Sequence, residues 1–265
     1  MFLSFKFRGF FILLAGLFLI VNNPKAFSEN DSISYSVDNK YIKAQHELLA
    51  KNKLIKEIYS FSILGREFYG YPTVFSPKIC GEKGFFVQNL PIKSGDYVLE
   101  IGAGTGFFAV FAVLQGASHV VAVDINPLAT QNIKHNAYFH GMESKITEIN
   151  SDIFSALPDI NGGKYEFDVI YWNIPFTPSA KNDLEVSDLM VFDPQFTFLE
   201  RYLAEAGNFL KPNGRLYLGY SSTHGDVTKM KELAQKYHWR VELVAHKGSA
   251  DTIIVELFEF FPDFK

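Results

Sequence analysis

Residues 98–124 read VLEIGAGTGFFAVFAVLQGASHVVAVD, and this stretch decides the fold. An apolar strand runs into Gly102, Gly104 and Gly106, a helical stretch follows, and a second apolar strand ends at Asp124. Because glycine lacks a Cβ atom, alternating glycines let the backbone turn tightly and approach a ligand closely. An acidic side chain at the end of the next strand suits the two hydroxyls of a ribose. The stretch therefore predicts a nucleotide-binding βαβ unit.

The spacing of the glycines distinguishes between nucleotide ligands. A dinucleotide site needs a small residue at position 107, where the third glycine of G-x-G-x-x-G lets the helix pack closely on the strand. Phe107 and Phe108 stand there instead and would crowd a pyrophosphate at the helix N-terminus. The sequence therefore disfavours a dinucleotide.

With Glu100 two residues before the first glycine, VLEIGAGTG resembles motif I of the class I S-adenosylmethionine (SAM) methyltransferases. The resemblance implies SAM as the cofactor. Asp152 would read the adenine amino group and Ile153 would lie against the ring, although a helix N-cap or turn is the alternative role for Asp152. The cofactor-binding residues that the resemblance implies after the first three strands are Glu100, Gly102, Gly104, Gly106, Asp124, Ile125, Asp152 and Ile153.

From residue 97 onward strands and helices alternate, which is typical of an α/β fold with a mostly parallel sheet covered on both faces. The last two strands are joined by a link too short for a parallel crossover, so they should pair antiparallel. Seven strands with an antiparallel last hairpin is the Rossmann-like arrangement of this methyltransferase class. We predict strands at residues 97–101, 119–123, 145–149, 167–172, 215–219, 240–245 and 252–260, and helices at residues 107–115, 127–140, 195–209 and 227–238.

The N-terminus has the pattern of a secretory signal peptide. Lys6 and Arg8 precede an uncharged run of 13 residues, and Ala26-Phe27-Ser28 offers small residues for cleavage. Thirteen helical residues span about 20 Å, short of the roughly 30 Å hydrocarbon core, so we expect no stable membrane span in the mature chain. We predict an exported protein, periplasmic or secreted; if the signal is not used, the protein is cytoplasmic.

Composition predicts one main domain and sets limits on partners. A chain of 265 residues that is 48% hydrophobic can bury a full core. Its single cysteine, Cys80, excludes an internal disulfide and a cysteine-based metal site, and the scattered histidines predict no metal. We expect a signal peptide at 1–28, a leader with a small helix and hairpin cap at 29–78, and the methyltransferase domain at 79–265. Within the cap, we predict a helix over 40–60 and a hairpin turning at Gly65-Arg66.

The net charge disfavours a long nucleic acid as the partner without excluding it. Cleavage after residue 28 would remove Lys6, Arg8 and Lys25 and no acid, leaving 22 basic and 29 acidic residues and a formal net charge of −7. Phosphate contacts supply most of the affinity for long nucleic acids, and no run of lysine and arginine is present. Nothing in the sequence indicates an oligomeric state.

The tetrapeptide Asn173-Ile174-Pro175-Phe176 follows the fourth predicted strand. It resembles the (Asp/Asn)-Pro-Pro-(Tyr/Phe) motif of methyltransferases that act on a planar nitrogen, and it departs from that motif at Ile174. The Asn173 oxygen and a nearby backbone carbonyl would accept both N–H bonds, which turns the lone pair toward the methyl carbon, and Phe176 would stack on the planar group. The resemblance thus implies catalytic roles for Asn173, Pro175 and Phe176, with Asn173 also at the cofactor.

The acceptor is indicated by the segment that follows. Residues 184–220 are similar to the corresponding segment of HemK-type glutamine N5-methyltransferases, and YPTVFSPKICGEKG at residues 71–84 is similar to their entry segment. The resemblance covers about residues 70–260 and lacks the N-terminal helical domain with which members recognise release factors, so we do not expect release-factor recognition. Asn-Ile-Pro-(Tyr/Phe) also resembles the ribosomal-RNA adenine dimethyltransferases.

We therefore predict a SAM-dependent N-methyltransferase that acts on a planar nitrogen of a protein or small-molecule acceptor, first of all on a protein glutamine side-chain amide. One alternative is an adenine N6-methyltransferase of RNA, which the acidic charge disfavours. Another is a non-catalytic SAM-binding or interaction protein, since SAM is made in the cytosol and an exported enzyme would lack its donor. Four acids, Asp183, Glu185, Asp188 and Asp193, form either a solvated loop over the site or a selector for a cationic substrate.

Overall fold

The computed structural model describes residues 39–79, 84–157, 165–181, 183–249 and 252–263. The predicted signal peptide and Cys80 lie outside the described residues. Within these ranges, no helix has the length and apolar character needed to cross a membrane.

The chain first forms a helix and a hairpin. Helix α1 spans Asn39–Lys53, and strands β1 (Tyr59–Ile63) and β2 (Arg66–Gly70) pair antiparallel, with Ile63 opposite Arg66. The predicted hairpin is confirmed, but its turn lies at Leu64-Gly65, one residue earlier than expected.

The prediction that the first helix runs to about residue 60 is wrong. Turns with hydrogen bonds between residues three apart end the helix at Leu54 and Ile55. The chain is already extended at Tyr59, and in this strand the alternation of side chains directs Phe61 to the core. Leu54 and Ile58, which the helical pattern included, are 77% and 53% exposed.

The main domain then alternates strands and helices as predicted. Its helices are α2 (Phe85–Asn89), α3 (Phe107–Leu114), α4 (Pro127–Phe139), α5 (Thr197–Glu205), which a short 3₁₀ helix (Ala206–Asn208) extends, and α6 (Val227–Lys236). Its strands are β3 (Tyr97–Ile101), β4 (His119–Asp124), β5 (Ile146–Asn150), β6 (Phe167–Asn173), β7 (Thr177–Ser179), β8 (Phe192–Pro194), β9 (Leu210–Tyr220), β10 (Trp239–Lys247) and β11 (Val255–Pro262).

Seven of the described strands form one sheet in the order β10-β11-β9-β6-β3-β4-β5. Strands β9, β6, β3, β4 and β5 are parallel, whereas β11 is antiparallel to both β9 and β10. This confirms the predicted Rossmann-like sheet with its antiparallel last hairpin. Because β3 lies between β4 and β6, the strand order reverses at β3, and a ligand is expected outside the carboxyl ends of these strands.

Sequence patterns missed three details of this domain. Strand β9 begins at Leu210, which pairs with Phe167 through an irregular register, five residues before the predicted start at Arg215. Helix α2 was not predicted. The parallel pair β7 and β8, which joins Thr177 to Phe192, was also missed because three-residue strands carry no periodic signal.

Apolar side chains cover both faces of the sheet, because successive strand residues point to opposite sides. On one face Leu99, Ile101 and Ile170 belong to a cluster with residues of α5 and α6, such as Leu199 and Met230. On the other face the cluster combines strand residues with α3, α4 and the β1–β2 hairpin: Val98, Val120, Val169, Phe108, Ile133 and Phe68 are among its members. The hairpin is therefore part of the domain core.

Candidate cofactor and acceptor site

The glycine loop after β3 has the left-handed backbone that its sequence predicts. Gly102, Gly104 and Gly106 have φ angles of +60°, +54° and +75°. A Cβ atom on Gly102 would lie 2.6 Å from Nε1 of Trp172, and one on Gly106 would lie 3.0 Å from Cα of Ile133. Gly102 and Gly104 line a cavity, whereas Gly106 does not line it and instead leaves the space in which α4 packs.

Asp124 ends β4 at the edge of the same cavity. Its Oδ2 accepts the N–H of Gly104 at 2.8 Å, and its Oδ1 accepts the N–H of Asn126 at 2.8 Å. Burial raises the pKa of the Asp124 carboxyl, and the two N–H donors oppose that shift. A carboxylate has about four acceptor positions, so two remain available to further donors such as ribose hydroxyls.

Glu100 lies beneath the glycine loop and is 5% exposed. It accepts the backbone N–H of Ala109 in the first turn of α3, while its Oε2 has no partner among the described residues. Burial, and then the nearby Asp124 carboxylate, raise the pKa of Glu100 well above its ordinary value. A cation bound in the cavity would therefore stabilise the ionised form of Glu100.

The loops after β4 and β5 are bonded to each other. The amide of Asn150 donates to the carbonyls of Asp124 and Ile125 at 2.9 and 3.0 Å, and the N–H of Ser151 donates to the Asp124 carbonyl at 3.0 Å. The Ser151 hydroxyl in turn donates to the carbonyl of Ile153, which is buried at a φ of +53°. These bonds hold Asp124, Ile125 and Ile153 in place, although sequence reasoning assigned no role to Asn150.

Asp152 lines the cavity and its carboxylate is bound by Arg201 of α5. Nη1 of Arg201 lies 3.0 and 2.8 Å from the two Asp152 oxygens, and Nε of Arg201 reaches Glu205 at 3.4 Å. The Asp152 carboxylate is thus held by an ion pair. The guanidinium occupies part of the hydrogen-bond acceptor capacity of the Asp152 carboxylate. Contact between Asp152 and the adenine amino group stays a prediction.

Asn173, at the end of β6, lines the cavity together with Ile174, Pro175 and Phe176. Its side chain is exposed and makes no hydrogen bond to any described residue. The Phe176 ring lies 6.0 Å from the ring of Tyr220, in an edge-to-face arrangement. Ile174 is 2% exposed and belongs to the core cluster below α5, so isoleucine at this position contributes packing.

Gly219 is a site residue that sequence reasoning missed. It lies opposite Asn173 across the β6–β9 pair. A Cβ atom at this position would lie 2.8 Å from Oδ1 of Asn173 and 2.9 Å from the ring of Phe86. Gly219 therefore provides the space that the Asn173 side chain occupies. Only the pairing register reveals this, because the glycine has no turn signature.

The cavity has a volume of about 250 Å³ and joins the glycine loop, Asp124 and the Asn173 segment. Two further elements cover it: α1, which was not predicted at the site, and the loop before β8, which was predicted to lie over it. Helix α1 contributes Gln45 and Leu48, and the loop before β8 contributes Val186, Leu189, Met190 and Val191. A separate apolar cluster around Leu49, Val191 and Phe192 joins the helix to this loop.

Two asparagines of α4 hold the hairpin, and one of them also bonds to the glycine loop. Asn132 accepts the N–H of Tyr71 at 2.9 Å and donates to the carbonyl of Tyr69 at 2.8 Å. Asn136 accepts the N–H of Tyr69 and donates to the carbonyls of Tyr69 and Thr105, all at 2.8 Å. Both side chains are fully buried. Their spacing of four on the apolar face of a helix was a signal that sequence reasoning did not use.

The four acids predicted in a loop over the site differ in their surroundings. Asp183 and Glu185 are exposed, and Asp188 lies 3.4 Å from Lys53 of α1. Asp193 is 2% exposed, and its two oxygens accept the N–H groups of Phe198 and Leu199 at the start of α5. Burial raises the pKa of Asp193 to about 7, against the lowering effect of these donors. The expectation that Asp193 is a solvated or substrate-selecting acid is therefore wrong, because its carboxylate is buried and accepts hydrogen bonds from the helix.

A family profile described as "Methyltransferase domain" matches residues 92–258. The chain belongs to this family. The match runs from β3 into β11 and includes the glycine loop, Asp124 and the Asn173 segment. Members of the methyltransferase class with this fold use SAM as cofactor, and the cavity of this methyltransferase domain fits it: the glycine cradle, the open acceptor positions of Asp124 and the unpaired oxygen of Glu100 meet there.

Relatives with curated names point to two kinds of acceptor. A Methanocaldococcus jannaschii protein, provisionally named protein N5-glutamine methyltransferase, is 32% identical over 173 residues, 63% of this chain and 83% of that protein. The release factor glutamine methyltransferase of Shewanella oneidensis is 30% identical over 62% of this chain and 58% of its own length. The tRNA1(Val) (adenine(37)-N6)-methyltransferase of Shewanella loihica is 26% identical over 48% of this chain and 56% of its own length. The chain thus spans under two thirds of the last two relatives.

Solved structures share the fold. A SAM-dependent methyltransferase of Agrobacterium tumefaciens has a TM-score of 0.52 at 20% identity, covering 79% of this chain and 71% of that chain. A second structure, described as a methyltransferase complexed with S-adenosylhomocysteine (SAH), has a TM-score of 0.55 at 12% identity, covering 77% of this chain and 56% of that chain. At these identities the likeness establishes the fold alone.

Proposed function

We propose that this methyltransferase domain transfers a methyl group to the side-chain amide nitrogen of a glutamine in a protein. The observation that carries the proposal is the position of Asn173. Its side-chain amide has no partner among the described residues and lines the same cavity as the glycine loop and Asp124. The glutamine methyltransferases among the relatives, at 32% and 30% identity, support this acceptor.

The residues of the chain would act by binding and alignment. Bound SAM supplies an electrophilic methyl group on a sulfonium. Asp124 accepts hydrogen bonds from the ribose hydroxyls, while Glu100, Gly102 and Gly104 form the floor under the cofactor. Ile125, Asp152 and Ile153 line the same cavity; the first and last would border the adenine, and Asp152 would accept a hydrogen bond from its amino group. These contacts fix the position of the methyl donor.

On the acceptor side, Asn173 Oδ1 and a backbone carbonyl of residues 173–175 accept the two N–H bonds of the amide. The nitrogen lone pair then points at the donor, and Phe176 provides a face for the planar group. Alignment of this kind can contribute about 7–11 kcal/mol to the barrier reduction. The new N–C bond would form as the sulfonium S–C bond breaks, and one amide N–H proton, made acidic by the new bond, would pass from its oxygen acceptor to water, so no strong base is required in the cavity.

The test is transfer of labelled methyl from SAM by the full chain to blocked tripeptides containing glutamine, with glutamate and asparagine peptides as controls. Acid hydrolysis of an N-methylated side-chain amide releases methylamine, which identifies the modified group. We expect labelled methylamine from the glutamine peptide alone. Saturating SAH binding without transfer to any peptide would contradict the proposal and favour a non-catalytic SAM-binding protein.

A second candidate is N6-methylation of an RNA adenine. The Asn-Ile-Pro-Phe segment and the tRNA-modifying relative support it, because the exocyclic nitrogen of adenine is also planar. The acidic balance of the chain disfavours it. An adenine-containing RNA oligonucleotide in the same assay, analysed for N6-methyladenosine after nuclease digestion, distinguishes the two acceptors.

We also propose export by the N-terminal signal at residues 1–28. The pattern of Lys6, Arg8, the uncharged run and the small residues near position 28 supports it. Fractionation of cells that express the tagged chain, with and without these residues, tests this proposal. Cytoplasmic recovery of the uncleaved full chain would contradict it.

A further inference from the structure

Helix α1 presents one buried to half-buried stripe toward the cavity and the loop that covers it. The stripe follows helical spacing through Ile42, Gln45, Leu49 and Asn52. Leu49 is 4% exposed and packs with Val191 and Phe192 of the covering loop. A polar residue on such a stripe needs a hydrogen-bond partner, because burial removes its water.

The two amides on this stripe differ in their hydrogen bonding. Asn52, 1% exposed, donates to the carbonyl of Val74 at 3.2 Å and accepts the N–H of Ser76 at 2.9 Å. Gln45, 5% exposed, makes no hydrogen bond within the part of the chain that the structure describes. Gln45 is not among the described residues with a fully buried, unpaired polar atom, so its amide keeps access to the open space of the cavity. The hydrogen bonds of Asn52 anchor the helix, whereas the amide of Gln45 makes no anchoring bond to a described residue.

Gln45 lines the cavity that also contains Asn173, Pro175 and Phe176. The neighbouring cavity residues contributed by α1 and the covering loop are apolar: Leu48, Val186, Leu189, Met190 and Val191. A primary amide presents two polar edges, its NH₂ group and its carbonyl oxygen. Asn173 serves the NH₂ edge, and a carbonyl left without a donor in an apolar chamber would be costly.

We propose that Gln45 is an acceptor-binding residue whose Nε2–H donates to the carbonyl oxygen of the substrate amide. This inference rests on the proposed function. Together, Gln45 and Asn173 would hold the planar amide at both edges, which fixes its rotation about the bond to the side chain. Helix α1 thereby contributes to acceptor specificity, although it lies before the matched methyltransferase domain.

The test compares Gln45→Met, which keeps length and removes both hydrogen-bonding groups, with Gln45→Glu, which keeps an oxygen and removes the donor. Glu47→Ala is the matched control, since Glu47 is exposed on the same helix. The substrate is a blocked Ala-Gln-Ala peptide. We expect both Gln45 variants to lower kcat/KM for the peptide about 10- to 100-fold, chiefly through KM, with SAH affinity and thermal midpoint as in the wild type.

Wild-type kcat/KM in Gln45→Met would overturn the inference while leaving the proposed function standing. A parallel loss of SAH affinity or of the folded state in both Gln45 variants would also overturn it, because the effect would then be structural. A wild-type chain that methylates no glutamine peptide refutes the proposed function, and the inference with it. The wild-type rate and the ratio of variant to wild type therefore separate the two failures.

Discussion

The two halves of the cavity use their polar groups differently. On the cofactor side, Asp124 and Asn150 bond to the backbone of neighbouring loops and the hydroxyl of Ser151 bonds within its own loop, so the loops are held in place. On the acceptor side, Asn173 and Gln45 bond to no described residue and face an apolar chamber. In the cofactor half, the polar groups that a ligand meets are already hydrogen-bonded to the protein. In the acceptor half, the ligand itself would supply the missing hydrogen-bond partners. The first half is therefore preorganised, and under the proposed function the second would determine which acceptor binds.

Asp124→Ala should produce the largest effect and break the cofactor half alone. It removes the carboxylate that would bind two ribose hydroxyls and that holds the N–H groups of Gly104 and Asn126. Because hydrogen bonds to charged groups contribute about 1.5–3 kcal/mol each, SAH affinity should fall at least about 100-fold by calorimetry. Asp183→Ala, in the exposed loop, is the control, and an equal loss there would count against this role.

Asn136→Ala should weaken the contact between the hairpin and the glycine loop. The change removes three hydrogen bonds of a fully buried amide to Tyr69 and Thr105 and leaves their backbone groups unpaired. We expect a loss of about 2–4 kcal/mol in the free energy of unfolding, measured by urea titration. Gln131→Ala, on the exposed side of α4, should change it by less than about 0.5 kcal/mol.

Asp193→Asn should change how the free energy of unfolding depends on pH. The pKa of Asp193 is about 7 in the folded chain and about 4 in the unfolded one. Folding therefore takes up a proton between these values, so the stability from Asp193 is complete below about pH 4 and is lost as the pH rises through about 7. Relative to Asp193→Asn, wild-type stability should fall across this window by up to about 1.4 kcal/mol per pH unit.

The Asp193→Asn variant is the reference because Glu100 and Asp124, whose pKa values are also raised, contribute equally to both proteins. Urea titrations of the wild type and the variant near the two ends of the window measure the difference. A difference that does not change with pH would show that Asp193 is ionised in the folded chain.

Gly219→Ala should produce the smallest effect and act on the acceptor half. The new Cβ atom would lie 2.8 Å from Asn173 Oδ1, so the side chain must shift. We expect kcat/KM for a glutamine peptide to fall about tenfold, with SAH affinity unchanged. Gly207→Ala is the matched control, since its Cβ atom would meet nothing closer than 3.7 Å. Equal losses of activity in both variants would contradict the positioning role.

The cofactor half, and Asn173 on the acceptor side, were predictable because their signals are local. The glycine loop, Asp124 and the tetrapeptide at Asn173 follow apolar strands directly, and parallel strands bring their carboxyl ends to one edge. The strands and helices of the domain were predicted for the same reason, with errors chiefly at their ends. The partner of Asp152 is different: Arg201 is 49 residues away, and no local pattern places it at the site.

Apart from Asn173, the arrangement of the acceptor half depends on tertiary contacts that leave no local signal in the sequence. Gln45 belongs to a helix that was predicted only as part of a cap, and its hydrogen bonding appears only when α1 is placed over the cavity. Gly219 shows its role only through its register with Asn173. Asp193 read as a solvated acid because its helix was expected to begin at Gln195, two residues before the true start at Thr197.

The most direct test of the account compares single-turnover methyl transfer to a glutamine peptide by the wild type, Asn173→Ala and Asn173→Asp, with SAH affinity measured for each. We expect Asn173→Ala to lower the transfer rate at least about 100-fold at unchanged SAH affinity, because alignment of the substrate amide is lost. Aspartate, which keeps an acceptor oxygen, should retain part of the rate. A rate in Asn173→Ala equal to that of the wild type would contradict the account.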